Sequence, residues 1–183
     1  MAKTVGVLAL QGDFEAHEKI LCALGAEPRE VRIPADLNGI DALVMPGGES
    51  TVMTLGIERE GLAGPLKELA QSGIPVLATC AGMIMLDRDH LGVLDILATR
   101  NAFGRQLRSF EADLDLAGLG QLHAVFIRAP WVAEHGPDVE VLAALDGHAV
   151  AVKQDKVVAV AFHPELAGET RLHELLLSSN GSR

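Results

Sequence analysis

The chain has 183 residues, 49% hydrophobic and 3% aromatic, with 15 Lys/Arg against 25 Asp/Glu and a formal net charge of −10 at pH 7. That length fits a single domain, residues 1–183, with enough apolar content for a sizeable core. The acidic balance without a Lys/Arg cluster argues against a nucleic-acid or anionic-membrane surface, and one Trp with no Tyr argues against a platform for stacking bases or sugars.

The first apolar stretch, in "MAKTVGVLALQGDF", is too short to span a bilayer and meets glycine and polar residues at once, so it reads as a strand ending at Gly12. No later segment reaches transmembrane length. Two cysteines, Cys22 and Cys80, make no disulfide framework, and a cytoplasmic location is the expectation. "DFEAHEKILCALG" has Phe14, His17, Ile20, Leu21 and Leu24 on one helical face, Asp13 as N-cap and Gly25 as stop. "EVRI" is a second strand, and "DALVMPGG" a third that ends in a Pro-Gly-Gly turn. "GPLKELAQSG" is a helix, "IPVLATC" a fourth strand, and "AGMIML" opens the next helix. This βαβα order implies a parallel sheet covered on both faces. Closely spaced strands follow: "HAVFIRAP", "VEVLAAL", "HAVAVKQ" and "KVVAVAFHPE", the last two joined as a hairpin around Asp155-Lys156. "GETRLHELLLSS" is a C-terminal helix, and "NGSR" a frayed tail. The expected architecture is a three-layer α/β/α domain whose mostly parallel sheet carries an antiparallel extension.

In open α/β sheets, sites form beyond the C-terminal ends of the strands. Three turns there invite chemistry: "LQG", "PGGES" and "ATCAG". The last has a nucleophile between small residues, as a sharp strand-to-helix turn requires. It places Cys80 at a helix start, which favours a thiolate, with the Ala81 N–H facing any oxyanion that forms. On these residues alone the rival reading, a small buried cysteine, stays open. The base that best matches is His163. Pro164 keeps it extended, so His163 and Glu165 project from one face, and the carboxylate holds one ring nitrogen while the other faces Cys80. His17 reads as a packing residue, and His90, His123, His135, His148 and His173 as surface or incidental. In "PGGEST", a glycine N–H of the Gly47-Gly48 pair offers a second oxyanion donor, and Glu49 and Ser50 offer side chains to an ammonium or amide. A phosphate loop is the weaker reading, because no GK[ST] follows and Glu49 repels phosphate. No Cys/His spacing of zinc type is present, and neither metal nor cofactor is expected.

Together "GVLALQGDFEAH", "PGGEST", "TCAGMI", "RNAFGRQ", "SFEADL", "VFIRAP" and "FHPEL" resemble the class I-type glutamine amidotransferases. Within them they resemble the glutaminase subunits of pyridoxal 5′-phosphate synthase, nearly end to end. The resemblance implies a flavodoxin-like fold and a Cys80, His163, Glu165 triad. It implies L-glutamine bound by Gly48, Glu49, Ser50, Arg100, Ile127 and Arg128, and ammonia passed within a hetero-oligomer to a synthase subunit that uses sugar phosphates. Two departures stand out. Alanine occupies position 78, where the family usually has glycine, and the stretch around Asp87–Leu91 is shorter than usual. The rival functions are a redox-sensing or interaction protein with a reactive thiol, and a deglycase- or protease-like enzyme with a cysteine elbow.

Overall fold

The computed structural model describes residues 2–104 and 108–179. Arg105 and Gln106 of the "RNAFGRQ" stretch and the "NGSR" tail lie outside them. The first half alternates strands and helices: β1 (Thr4–Leu8), α1 (Phe14–Ala23), β2 (Glu27–Val31), β3 (Ala42–Met45), α2 (Ser50–Arg59), α3 (Ala63–Gln71), β4 (Val76–Thr79) and α4 (Ala81–Leu86). The second half supplies β5 (Ile96–Thr99), β6 (Ser109–Leu116), β7 (Gly120–Ile127), β8 (Trp131–His135), β9 (Glu140–Leu145), β10 (His148–Gln154), β11 (Val157–Val160) and α5 (Arg171–Ser178). The main sheet runs β2-β1-β3-β4-β11-β10-β8-β5, with β9 also paired to β10. Its first five strands are mutually parallel; β10 turns antiparallel on β11, and the β8, β9 and β5 pairings are antiparallel too.

The layering follows from the apolar runs. Every residue of β3, β4 and β11 is buried, which a strand achieves only when both faces of the sheet are covered. Helices α1, α4 and α5 pack against these central strands and their neighbour β1. The outer faces of α1 and α5 carry charge, whereas α4 is buried throughout. The β6–β7 hairpin stands apart as a two-stranded sheet. Aromatic contacts tie it down: Phe110 stacks on its cross-strand partner Phe126 at 4.7 Å, and Phe126 meets Phe162 at 5.6 Å. Such pairs contribute about 0.5–1.5 kcal/mol beyond their buried area. The few aromatic rings therefore serve the interior, where they fix the hairpin beside the end of β11.

The structure departs from the sequence reading at seven elements. Helix α2 was not anticipated, because Thr51, Val52, Thr54 and Gly56 depress helix propensity. Strands β5, β6 and β8 were also missed. Strand β2 begins at Glu27 rather than Glu30 and takes in Pro28, which an edge strand tolerates because one side of it needs no ladder N–H. Strand β1 ends at Leu8, short of Gly12. Finally, β11 stops at Val160, and Pro164–Leu166 form a 3₁₀ turn. His163 and Glu165 are thus not two positions of an extended strand.

Candidate active site

The turn between β4 and α4 is the first component. Cys80 adopts φ 49° and ψ −109°, a conformation that L residues avoid, and it is held there by its N–H bond to Val160 O at 2.8 Å. Backbone strain of this kind costs on the order of 1–3 kcal/mol and persists only where the surroundings enforce it. The enforcement is visible at Gly82, where an added Cβ would lie 2.1 Å from Met45 O. Only glycine lets α4 approach β3 so closely. Ala78, by contrast, sits in regular strand pairing between Met45 and Ala159 and is fully buried, so alanine costs this turn no conformational freedom. The thiol is nearly buried, with Sγ 3.8 Å from Ile127 O of β7.

The second component is the segment after β11. The His163 N–H donates to Val125 O of β7 at 2.8 Å, so the hairpin fixes the imidazole from behind. The 3₁₀ turn brings Glu165 back beneath it, and Nδ1 lies 2.6 Å from Glu165 Oε1. The turn achieves what the sequence reading assigned to an extended chain. The His163 imidazole also lies beside Cys80, since a Cβ placed on Gly47 would touch both. With Nδ1 occupied by Glu165, the other ring nitrogen is the one left to serve the thiol. Burial alone would pull the imidazolium pKa down, but the hydrogen bonds and charges of Cys80 and Glu165 outweigh it and push the value up to about 10. The imidazole is thereby held protonated at neutral pH.

The third component is the loop from Pro46 to Ser50. A Cβ on Gly47 would meet His163 Cε1 at 2.5 Å and Cys80 Cβ at 3.1 Å, so a glycine is what allows this loop to lie on the Cys–His pair. The Gly47 N–H donates to Thr79 Oγ1 at 3.1 Å, and Gly47 O accepts from the Asp13 N–H at 3.3 Å. Gln11 Oε1 accepts from the Glu49 N–H at 2.5 Å, so Gln11 braces the far side of the Gly47-Gly48 pair. Glu49 caps α2 by accepting from the Val52 N–H, and its other oxygen lies 3.3 Å from Arg100 Nη2. Its carboxylate is therefore already engaged, which the sequence did not indicate.

These parts enclose a cleft of about 260 Å³, near the small end of the range for ligand sites. Gly48, Glu49, Ser50, Cys80, Ala81, Arg100, Ile127, Arg128 and His163 all line it, with Gln11 and Asp13 at its edge; Glu165 lies behind. Arg100 and Arg128 are exposed at the mouth, and Arg128 takes a positive φ of 43°. The shortened stretch after α4 is firmly held. Asp87, 2% exposed, accepts from the Asp89 and Ala98 N–H groups and bonds to His90 Nδ1 at 2.7 Å.

Of the other histidines, His17 is buried and His90 and His123 are exposed, as the sequence reading has them, whereas His173 is buried rather than on the surface. His90 is anchored by Asp87, and His123 lies between Asp113 and Glu111 on the exposed hairpin face, where those carboxylates raise its pKa. His17 and His173 are both fully buried and bonded to each other, Nδ1 to Nε2 at 2.8 Å. His17 also lies 3.3 Å from Glu165 Oε2. The signal that could have found them is their position on the apolar faces of α1 and α5. Among the described residues the one group of His, Cys and acidic side chains close enough to share an ion is Asp13, His163 and Glu165. His163 and Glu165 already satisfy each other there. Among the described residues no helix is long and apolar enough to cross a membrane.

Residues 7–180 match the SNO glutamine amidotransferase family. The pyridoxal 5′-phosphate synthase subunit PdxT of Mycolicibacterium vanbaalenii is 50% identical over 97% of this chain and 98% of its own. The same subunit of Pelotomaculum thermopropionicum is 51% identical over 94% and 93%. A crystal structure of a glutamine amidotransferase, 46% identical, superposes with a TM-score of 0.89 over 94% of this chain and 96% of that one. PurLQS from Thermotoga maritima, 17% identical, shares the fold with a TM-score of 0.76 over 97% and 98%. The chain therefore belongs to the SNO glutamine amidotransferase family.

Proposed function

We propose that this chain hydrolyses L-glutamine to L-glutamate and ammonia, and delivers the ammonia to a sugar-phosphate-using synthase subunit for pyridoxal 5′-phosphate formation. The observation that carries the reading is the strained Cys80 in one cleft with a His163 whose Nδ1 is 2.6 Å from Glu165. Relatives about 50% identical across almost their whole length, named as subunits of that synthase, support the assignment of substrate and partner.

The roles follow from position. The Cys80 thiolate attacks the side-chain amide carbon of glutamine. The Gly48 and Ala81 N–H groups stabilise the oxyanion. His163 gives its proton to the departing nitrogen, ammonia leaves, and a γ-glutamyl thioester remains on Cys80. His163 then takes a proton from water, which attacks the thioester and releases glutamate and the thiolate. Arg100 and Arg128 supply positive charge at the mouth for the substrate carboxylate. Glu49, Ser50 and Ile127 surround its amino-acid end. Glu49 acts there through an oxygen it shares with Arg100.

The partner also acts as a switch. The Gly47-Gly48 pair turns at low conformational cost, and Gln11 and Asp13 hold it in its present orientation. A partner that binds one orientation more tightly shifts the population, about tenfold for each 1.4 kcal/mol of preference. The test is steady-state glutamate release by the purified chain, alone and with saturating synthase subunit. A large increase on addition is expected. Equal rates would refute the switch, and no release in either case would refute the activity.

A further inference from the structure

Glu165 has two carboxylate oxygens, and the reaction proposed above uses only one. Oε1 meets His163, while Oε2 is completely buried with no hydrogen-bond partner of good geometry among the described residues. His17 Nε2 lies 3.3 Å from it, and the two side chains are 0% exposed. That nitrogen is equally 3.3 Å from Thr79 Oγ1, which in turn accepts from the Gly47 N–H. His17 Nδ1 lies 2.8 Å from His173 Nε2.

One arrangement of protons suits the contacts of His17 with Glu165, Thr79 and His173 Nε2. A lone pair on His17 Nε2 would face the Glu165 carboxylate and be repelled, so Nε2 carries the proton and shares it between Glu165 Oε2 and Thr79 Oγ1. His17 Nδ1 is then an acceptor, and His173 Nε2–H donates to it. Both rings are neutral in this scheme. Burial pushes each imidazole pKa down, well below the usual value for His17 and to about 4 for His173.

We infer that His17, backed by His173, is a positioning residue: it fixes the second oxygen of Glu165 and, through Thr79, the Gly47 end of the oxyanion loop. The inference rests on the glutaminase reading. A buried polar network holds geometry through the members that are matched, and this one spans α1, α5, the end of β4 and the 3₁₀ turn, with His173 Nδ1 outside it and without a hydrogen-bond partner of good geometry among the described residues. It links the two parts of the site that must stay in register, the base–carboxylate pair and the oxyanion donor. The charged and titratable groups facing it are Asp13 from the start of α1, Cys80 from the β4–α4 turn, His163 beside Glu165, and Glu169 ahead of α5.

The experiment uses the chain assembled with its synthase subunit. His17→Leu removes the donor, whereas His17→Gln keeps an N–H near the Nε2 position. For His17→Leu, kcat for glutamine hydrolysis should fall by about 10- to 100-fold with KM within about twofold, because His17 does not line the cleft. The basic limb of the pH profile should move to lower pH as His163 loses a well-placed carboxylate. His17→Gln should recover most of both. Equal losses in the two variants, or a wild-type kcat and pH profile for His17→Leu, would overturn the inference. Imidazole ¹⁵N spectra of the unmodified chain give a readout that needs neither variant folding nor activity. They should show His17 neutral and protonated on Nε2. The opposite tautomer, or a charged ring at pH 7, would also overturn it. An unmodified complex that releases no glutamate would sink the functional reading instead, and the spectra would still judge the network.

Discussion

Replacing Glu165 by glutamine changes no volume, but the buried geometry turns that small change into a conflict. The carboxylate faces a ring nitrogen on each side: His163 Nδ1 at 2.6 Å and His17 Nε2 at 3.3 Å, with Glu165 side-chain exposure of 0%. An amide can keep its oxygen toward His163 only by aiming its NH₂ at the His17 donor. If it flips, the NH₂ faces His163 Nδ1 and favours the tautomer with its proton toward Cys80. In either case the anion that helps hold the imidazolium is gone. Loss of an orienting carboxylate costs up to about 10⁴-fold in kcat in the serine-protease triad. Here Cys80 also stabilises the imidazolium, so a loss of about 10²- to 10⁴-fold is expected, or roughly 3–5 kcal/mol of barrier. KM should stay within about twofold, since Glu165 does not line the cleft. The His163 pKa, now pushed up to about 10, should fall toward its ordinary 6.5, so the basic limb moves to lower pH. Steady-state glutamate release by the assembled complex across pH is the assay, with circular dichroism to confirm folding. A wild-type kcat in a folded variant, or a loss confined to KM, would refute the reasoning.

Arg100→Ala and Arg128→Ala should each raise KM for glutamine with a smaller effect on kcat, and unchanged kinetics in both would remove the arginines from substrate binding. Gly82→Ala forces a Cβ to within 2.1 Å of Met45 O, a backbone atom that cannot step aside, so it should lower unfolding free energy by at least about 1–3 kcal/mol in denaturant titrations. Acid should destabilise the fold through His173. An imidazole depressed to about 4 is neutral in the folded state, while the unfolded chain takes up its proton near pH 6.5. Stability is then complete above pH 6.5 and falls as pH drops toward 4, by on the order of 3 kcal/mol. A His173→Leu variant that folds should show a flatter dependence, and an unchanged one would contradict it.

How much of this was legible depends on the kind of signal. The apolar runs of β3 and β4 and the hairpin about Asp155 declared themselves, because burial on both faces and a tight turn leave marks along a few consecutive residues. Helix α2 left no such mark, since its Thr51–Val52 start reads as strand and its stability comes from packing and the Glu49 cap. For the site, Cys80 and its small neighbours were readable because a strained turn restricts what can flank it. The route by which Glu165 reaches His163 was misread: a proline after histidine is compatible with both an extended chain and a 3₁₀ turn, and only tertiary contacts decide. His17 and His173, 156 residues apart in the chain, were assigned to packing and surface. Nothing local shows that two helices on different parts of the chain bring their imidazoles together.

The central claim is that Cys80 carries the glutamyl group during turnover, and trapping that species tests it most directly. The chain assembled with its synthase subunit is mixed with L-glutamine, quenched in acid during steady state, digested and analysed by mass spectrometry. The account predicts a glutamyl thioester on the peptide containing Cys80, absent from Cys80→Ala, and no adduct on the exposed Cys22. Continued glutamate release by Cys80→Ala, or an adduct on Cys22 with Cys80 unmodified, would contradict it.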